Sequence, residues 1–214
     1  MKGQDILLLF KIISLEAHEA WLSPTARHSD SHSSASRLQR GFRVAEAMPP
    51  LYSEAHSARA ENYSLRSLAA SLGISKSEIS NSIARCREAG LLVNDYETDL
   101  PKVNRGELLR ITEHALKYFF PVKPGALSRG IATGFAAPVL AAHLKSAGDT
   151  LPVWPDPEGA ARGQAVEPLY KTVAHAVKQD EVLYQYLALV DAIRLGGPRE
   201  CGVALMLLKE GMGL

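Results

Sequence analysis

The sequence predicts a mainly α-helical fold with one small β-hairpin and an additional helical region, rich in Pro and Gly, at the C-terminal end. Three observations favour it. Apolar residues recur at helical spacing near the N-terminus, over residues 64–90 and over residues 180–208. A short extended run, Leu91–Val93, follows the second of these stretches. Seven prolines and six glycines interrupt residues 121–168.

The first helix is predicted over Gln4–Trp21. Its apolar residues lie on nearly all sides of the helix, which indicates burial all round. They are Ile6, Leu7, Leu8, Leu9, Phe10, Ile12, Ile13 and Leu15. Lys11 interrupts this run and no small-residue cleavage site follows, so the run is not typical of a signal peptide. It is also too short to span a bilayer. We therefore expect a cytoplasmic protein with no membrane contact.

Residues 23–57 are predicted to be partly a mobile loop or arm, because Ser23–Ser36 is polar, rich in serine and poor in apolar residues. His28 and His32 lie four residues apart, but no carboxylate or cysteine completes a metal site at a recognisable spacing. We expect no metal and no cofactor. Three arginines then recur every third residue, either as a phosphate-contacting arm or as a solvated face: Arg37, Arg40 and Arg43.

The segment Ser64–Leu92 has the spacing of two helices joined by a tight turn. An apolar stripe predicts the first helix: Leu65, Leu68, Ala69 and Leu72. Gly73 then ends it, because this position favours a residue that accepts a positive φ. Ser75 and Glu78 predict a capping box at the start of the second helix. A second apolar stripe follows before Gly90 ends that helix: Ile79, Ile83 and Cys86.

With these stripes facing inward, we expect the other face of helix 75–89 to be polar. Its outward residues are Lys76, Ser77, Ser80, Asn81 and Arg85. Such short hydrogen-bonding groups and cations reach base edges and phosphates, whereas an ordinary solvated helix is richer in Glu–Lys pairs. The pattern predicts a helix that reads the major groove of double-stranded DNA. The predicted contacts are Arg66 and Lys76 with phosphates, and Ser75, Ser77, Ser80, Asn81 and Arg85 with bases or backbone.

About thirty residues of this segment resemble the DNA-binding core of MarR-like winged-helix transcriptional regulators. The shared pattern is Leu68-Ala69, Leu72-Gly73, Ser75, Ile79, Ile83 and Ala89-Gly90-Leu91-Leu92. A second set of motifs resembles a group of bacterial winged-helix proteins usually labelled regulators: Lys117–Pro121, Arg129-Gly130, Val153–Gly159, Arg162-Gly163 and Glu167–Tyr170. The resemblance implies a winged helix-turn-helix and a sequence-specific regulator of transcription. It also implies that the leading helix packs on the reading head and on a partner subunit.

The charge distribution bears on how such a domain would bind DNA. The formal net charge is only +1, and residues 57–90 hold five Lys or Arg against three Asp or Glu, a local excess of two. Because each phosphate contact adds modestly to affinity, we expect two copies to bind two half-sites together. The prediction is a homodimeric repressor.

The run Leu91–Val103 predicts a β-wing beside the reading helix. Its turn, Asn94–Asp99, carries three carboxylates where a wing that touches DNA normally carries Arg or Lys. Only Lys102 and Arg105 are cations placed where the wing could contact DNA. Either the wing turns away from DNA or it faces a protein partner.

We divide the chain into residues 1–103, the leading helix with the DNA-binding unit, and residues 104–214, a helical region for dimerisation, a protein partner or an effector. Helices are predicted over Arg105–Phe119 and Ala136–Leu144. Trp154 is expected to anchor the irregular stretch. A closing hairpin of two helices is predicted, the first capped by Asp180 and the second started by Pro198.

Four polar residues of the Pro- and Gly-rich stretch are candidates to line a pocket for an anionic small molecule, and structural hydrogen bonding is the alternative. They are Arg129, Thr133, Arg162 and Gln164.

Enzymatic motifs are absent from the sequence. It contains no nucleophile elbow, P-loop, dinucleotide-binding glycine motif or Cys-x-x-Cys pair, so we expect no enzyme. Cys86 and Cys201 provide no disulfide framework. The alternative to a DNA-binding regulator is an antitoxin-like or adaptor protein whose winged helix binds a protein partner. The acidic wing and the near-neutral charge favour that alternative, whereas the outward Lys, Asn and Arg favour DNA.

Overall fold

The structure, a computed structural model, describes residues 1–22, 59–141, 143–144 and 151–214. It is mainly α-helical, as predicted, and contains two small β-sheets. The predicted loop and arm of residues 23–57, including the candidate metal-binding histidines and the three spaced arginines, lie outside the described residues. Within the described part of the chain, no helix is long and apolar enough to cross a membrane.

The helices and strands of the core have the following bounds. The helices are α1 (Gly3–Leu22), α2 (Leu65–Leu72), α3 (Lys76–Glu88), α4 (Arg105–His114), α5 (Leu116–Phe119), α6 (Pro138–Ala141), α7 (Val173–Val177), α8 (Glu181–Leu195) and α9 (Pro198–Gly211). The strands are β1 (Leu92–Asn94), β2 (Pro101–Val103), β3 (Leu127–Ala132), β4 (Pro152–Pro155) and β5 (Ala161–Ala165).

Helix α1 lies at the centre of the core. Its apolar residues from Ile6 to Ile13 are fully buried, which confirms the predicted burial all round. One hydrophobic cluster joins α1 to α2, α3, α4, α8 and α9. Since burying one large aliphatic side chain is worth roughly 1.5–3 kcal/mol, α1 contributes much of the apolar driving force. The core therefore runs across the predicted boundary between residues 103 and 104.

Strands β1 and β2 form the small antiparallel hairpin that the sequence predicts. Leu92 pairs with Val103 and Asn94 with Pro101. Leu92 and Val103 are buried, whereas Val93, the next residue along β1, is half exposed. The period of two in a strand explains this alternation, and it anchors one face of the hairpin on the core.

Strands β3, β4 and β5 form a closed three-stranded sheet that the sequence analysis missed. Strand β3 pairs antiparallel with both others, and β4 and β5 pair in parallel. Two glycines permit the close packing, because a Cβ on Gly130 would lie 2.0 Å from the Trp154 carbonyl oxygen and one on Gly163 would lie 1.9 Å from that of Leu151. Strands this short and rich in Pro and Gly lack the alternation by which strands are recognised.

Two predicted helices are shorter than expected. The helix predicted over Ala136–Leu144 is reduced to α6, which follows a 3-10 turn at Gly134–Ala136. The helix predicted over Arg105–Phe119 is interrupted at Ala115, whose φ of −117° departs from the helical value, and so forms α4 and α5.

The closing pair of helices forms as predicted. The Asp180 side chain accepts a hydrogen bond from the Leu183 N–H at 2.9 Å and caps α8. Pro198 starts α9 after the break at Gly196 and Gly197. Helix α8 packs against α1, and α9 packs against α8, so that this hairpin is part of the shared core.

Candidate nucleic-acid interface

Helices α2 and α3 are joined by a turn built around one glycine. Ser64 caps α2, since its hydroxyl accepts from the Ser67 N–H at 3.1 Å. Gly73 has φ +62° and ψ +33°, the left-handed conformation predicted for it. Ile74 is buried beneath the turn and its N–H donates to the Ala69 carbonyl at 3.1 Å. These hydrogen bonds satisfy backbone groups at both ends of α2, and the turn sets the direction in which α3 begins.

The start of α3 is capped from its own chain and held by α1. The Ser75 hydroxyl accepts from the Glu78 N–H at 3.3 Å, which is the first half of the predicted capping box. The Glu78 carboxylate instead accepts from Gln4 Nε2 of α1 at 2.7 Å. That bond lowers the pKa of Glu78. Gln4 thereby fixes the first turn of α3 against the central helix.

The predicted polar face of α3 is exposed at most of its positions. Lys76, Ser77, Ser80 and Asn81 are exposed, as is Ser75 at the cap. Arg66, in the first turn of α2, is also exposed. Five of these residues lie in the first turns of α3 or at its cap, and together with Arg66 of α2 we call them the α3 surface.

The structure corrects the predicted orientation of Arg85. Instead of pointing outward, its Nη2 donates to Asp5 Oδ1 at 2.6 Å and its Nε donates to Asp5 Oδ2 at 3.0 Å. Asp5 belongs to α1 and is fully buried. Arg85 therefore anchors α3 to the core, with its charge paired to that of the buried Asp5.

The reason is that the buried face of α3 is rotated from the predicted one. Ile79, Ser82 and Cys86 are buried, whereas Ile83 is only half-buried. The Ser82 hydroxyl accepts from Gln4 Nε2 and from Arg85 Nη2, each at 3.0 Å, so that its burial is satisfied. In α2 likewise, Leu65 of the predicted stripe is 41% exposed.

The contact between α1 and α3 is stabilised by an ionised Asp5. Burial raises the pKa of Asp5, but hydrogen bonds from Arg85, from the Lys2 N–H and from Ser82 outweigh it and keep the pKa of this carboxyl below its usual value. Burial raises the pKa of the neighbouring Cys86 thiol to about 12. Cys86 is therefore a protonated core residue, which agrees with its place in the predicted inward-facing stripe.

Arg87 is an exposed cation of α3 that the sequence did not single out. It is exposed in the last turn of α3, and its Nη2 donates to Asn94 Oδ1 of β1 at 2.8 Å. Lys76, Ser80 and Arg87 are spaced at i, i+4 and i+11, which places them on one side of a helix. This spacing could have indicated Arg87 from the sequence. Arg87 links α3 to the hairpin and leaves a cation beside both.

The hairpin tip uses its carboxylates to form its own turn. Asp95 accepts from the N–H groups of Glu97 and Thr98 at 3.2 and 3.1 Å, and from Lys102 Nζ at 2.8 Å. The bond from Lys102 is the largest cause that holds the pKa of Asp95 well below its usual range. Lys102 is thus paired, and Arg105 is paired with Glu16 of α1. Both cations that could have brought this hairpin to DNA are therefore held in ion pairs. Tyr96 at the tip is fully exposed.

The four candidate ligand residues do not form one pocket. Arg129 and Arg162 are exposed and stand directly opposite each other on β3 and β5, with Gln164 on the same face of β5. Thr133 is fully buried elsewhere and donates to Asp191 Oδ2 at 3.0 Å, so it is removed from the set. Trp154 Nε1 donates to the same carboxylate oxygen at 2.6 Å. Trp154 is therefore the buried anchor that the sequence predicted.

Among the described residues, no group of three or more His, Cys, Asp or Glu is arranged to hold a metal ion. The geometry at α3 can instead present hydroxyl, amide and cationic groups on one exposed helix face. Models of protein families, curated proteins and solved structures were each compared with this chain, and none of the three comparisons finds a match.

Proposed function

We propose that this chain is a sequence-specific DNA-binding regulator of transcription, a cytoplasmic homodimeric repressor of the winged helix-turn-helix type that its sequence resembles. One observation carries the proposal. The α3 surface exposes cations and short hydrogen-bonding side chains on one side, while α1 holds the opposite side of α3 through Gln4 and Asp5. A helix that is polar outward and fixed inward is suited to entering a groove without bending.

Helix α3 has the dimensions and the end chemistry for this role. Its 13 residues span about 20 Å, enough to cross the major groove with its first turns inside it. The N-terminus of a helix favours phosphate, and Lys76 adds a full positive charge there. Arg66, in the first turn of α2, reaches a second phosphate in this arrangement. Ser77, Ser80 and Asn81 then face base edges, where an amide side chain pairs with adenine.

The hairpin has a different part in this proposal. Arg87, in the last turn of α3, donates to Asn94 of β1, so it supplies a positive charge where the helix meets the hairpin. The tip, with Asp95 and Glu97, stays off the phosphate backbone because like charges repel. With so few cations in one copy, affinity depends on a dimer that binds two half-sites. In the proposed regulator, residues 104–214 couple the dimer geometry to a ligand or a protein partner.

The test is binding to the DNA upstream of the chain's own gene, followed by fluorescence anisotropy. We expect the Lys76→Ala, Asn81→Ala double variant to lose affinity by about tenfold or more, since a bidentate amide contact alone is worth about 1–3 kcal/mol. The control is Lys209→Ala, which removes one exposed cation from α9. Equal binding by wild type and the double variant would show that α3 does not read DNA.

A second candidate function is an antitoxin-like or adaptor protein that binds a protein through the same unit. The observation that favours it is the hairpin tip, where the fully exposed Tyr96 stands among carboxylates. Tyrosine is common at the centre of protein interfaces. Salt separates the two functions, because affinity that rests on phosphate contacts falls steeply between low and moderate salt. Tyr96→Ala would abolish capture of a protein partner and leave affinity for DNA unchanged.

A further inference from the structure

The outer face of the closed three-stranded sheet carries two arginines in direct opposition. Arg129 of β3 and Arg162 of β5 are register partners in an antiparallel pair. Residues in such a pair lie on one face with their Cβ atoms about 5 Å apart. Both side chains are exposed. Two positive charges are therefore held side by side on a rigid surface.

The inner face of the sheet is too closely packed for either arginine side chain to turn inward. Gly130 and Gly163, the next residues along each strand, are buried on the opposite face, where a Cβ would collide with backbone. Arg129 is fixed further, since its Nε donates to the Gly159 carbonyl at 2.6 Å. That bond uses the Nε–H group, and the two terminal nitrogens of the guanidinium make no hydrogen bond to the described residues.

Nearby carboxylates do not neutralise this pair. Asp156 and Glu158, on the segment between β4 and β5, both accept from Lys178, each at 2.8 Å. Within the described residues, no ion pair joins Arg129 or Arg162 to an acidic side chain. Like charges directly opposite each other in a sheet are destabilising. An anion between them would remove that cost.

We propose that Arg129 and Arg162 form a clamp for a phosphate group. A phosphate offers several acceptor oxygens and enough negative charge for two guanidiniums, and arginine binds it through paired N–H bonds. The phosphate belongs either to a small phosphorylated molecule or to the backbone of bound DNA. The clamp does not depend on the proposed reading of DNA by α3, because its residues lie on β3 and β5.

The first experiment measures binding of sodium pyrophosphate by calorimetry in a chloride buffer. We expect wild type to bind it, and Arg129→Gln and Arg162→Gln each to weaken binding by about tenfold or more, as the loss of a charge-assisted hydrogen bond predicts. The control variant, Arg199→Gln with Lys209→Gln, removes two exposed cations of α9 and should bind like wild type. Equal weakening in the control would reduce the effect to net charge and overturn the clamp.

The second experiment is thermal unfolding at low salt, which shows whether the pair repels. Arg162→Gln should unfold at the same temperature as wild type or higher without pyrophosphate, and pyrophosphate should raise the unfolding temperature of wild type alone. A lower unfolding temperature for Arg162→Gln without the anion would show that the arginines stabilise the sheet themselves, and would overturn the proposal.

Binding of upstream duplex DNA separates the two sources of phosphate. If DNA supplies it, Arg162→Gln lowers the salt dependence of DNA binding by about one ion. If a small molecule supplies it, DNA binding is unchanged and only pyrophosphate binding is lost. A variant that changes neither measurement contradicts the clamp. Lys76→Ala is expected to affect only DNA, so failure of the reading helix and failure of the clamp remain distinguishable.

Discussion

Lys11 Nζ lies 2.7 Å from Asp180 Oδ2, so one buried carboxylate both caps α8 and binds the central helix α1. The Ser14 hydroxyl, one turn further along α1, also donates to Asp180 at 2.7 Å. With the pair Arg85 and Asp5 at the other end, α1 is joined by ion pairs to α3 and to α8. The helix that fills the core thus also fixes the positions of the elements on either side.

Asp180→Asn is expected to destabilise the protein strongly, although Asn is as good a helix cap as Asp. The substitution leaves the ammonium of Lys11 buried without its counter-charge, and breaking a buried pair in this way costs about 3–5 kcal/mol. Urea unfolding gives the change in free energy. Glu181→Gln, at the exposed neighbouring position, should change it little. Adding Lys11→Met to Asp180→Asn should restore most of the loss; a double variant as unstable as the single one would contradict this account.

Stability should also fall in acid because of Asp180. Burial raises the pKa of this carboxyl, but hydrogen bonds from Lys11, the Leu183 N–H and Ser14 outweigh burial and hold the pKa below its usual value. A lowered folded-state pKa gives stability that is present above the unfolded value, about 3.9, and is lost as pH falls through the folded value. Unfolding by urea should therefore become easier below about pH 4. Asp180→Asn should show a shallower decline, and an identical slope would exclude Asp180 as a source.

Arg85 and Lys76 should respond in opposite ways although both are cations of α3. Arg85→Met removes the partner of the buried Asp5 and should lower the free energy of unfolding by about 3 kcal/mol or more. Below its unfolding temperature, its DNA binding should keep the wild-type salt dependence. Lys76→Met should leave stability within about 0.5 kcal/mol and reduce the salt dependence by about one ion. A reduced salt dependence in Arg85→Met would return Arg85 to the DNA-contacting face.

Two substitutions of glycine by alanine should change stability in opposite directions. Gly73→Ala puts a Cβ at φ +62° and 3.0 Å from His175 Cδ2, and the left-handed conformation alone costs an L-residue about 1–2 kcal/mol. Gly202→Ala, inside α9 with open space around the new Cβ, should stabilise by about 0.5–1 kcal/mol. Thermal unfolding of both variants measures the difference. A Gly73→Ala protein as stable as wild type would show that the turn between α2 and α3 can relax.

Local rules predicted those parts of the molecule that local chemistry determines. Gly73, the Ser75 cap and the burial of Phe10 follow from backbone conformation, end capping and periodicity, which the sequence displays directly. The position of Arg85 did not follow, because Asp5 is eighty residues away in the chain and nothing local pairs them.

The closed sheet was missed for a similar reason. Strand β3 pairs with β4 only after a long connection, and the glycines of this sheet indicate turns rather than strands until the opposing backbone is known. The opposition of Arg129 and Arg162 could not be foreseen without that register, although both residues were singled out for their charge.

The central place of α1 has a consequence for how the protein unfolds. Because α2, α3, α4, α8 and α9 all share one hydrophobic cluster with α1, the described helices should lose their structure in a single cooperative transition. Whatever binds and stabilises the C-terminal half would then raise the cost of local opening at α3 as well. Hydrogen exchange at the α3 amides would report an event on the far side of the core.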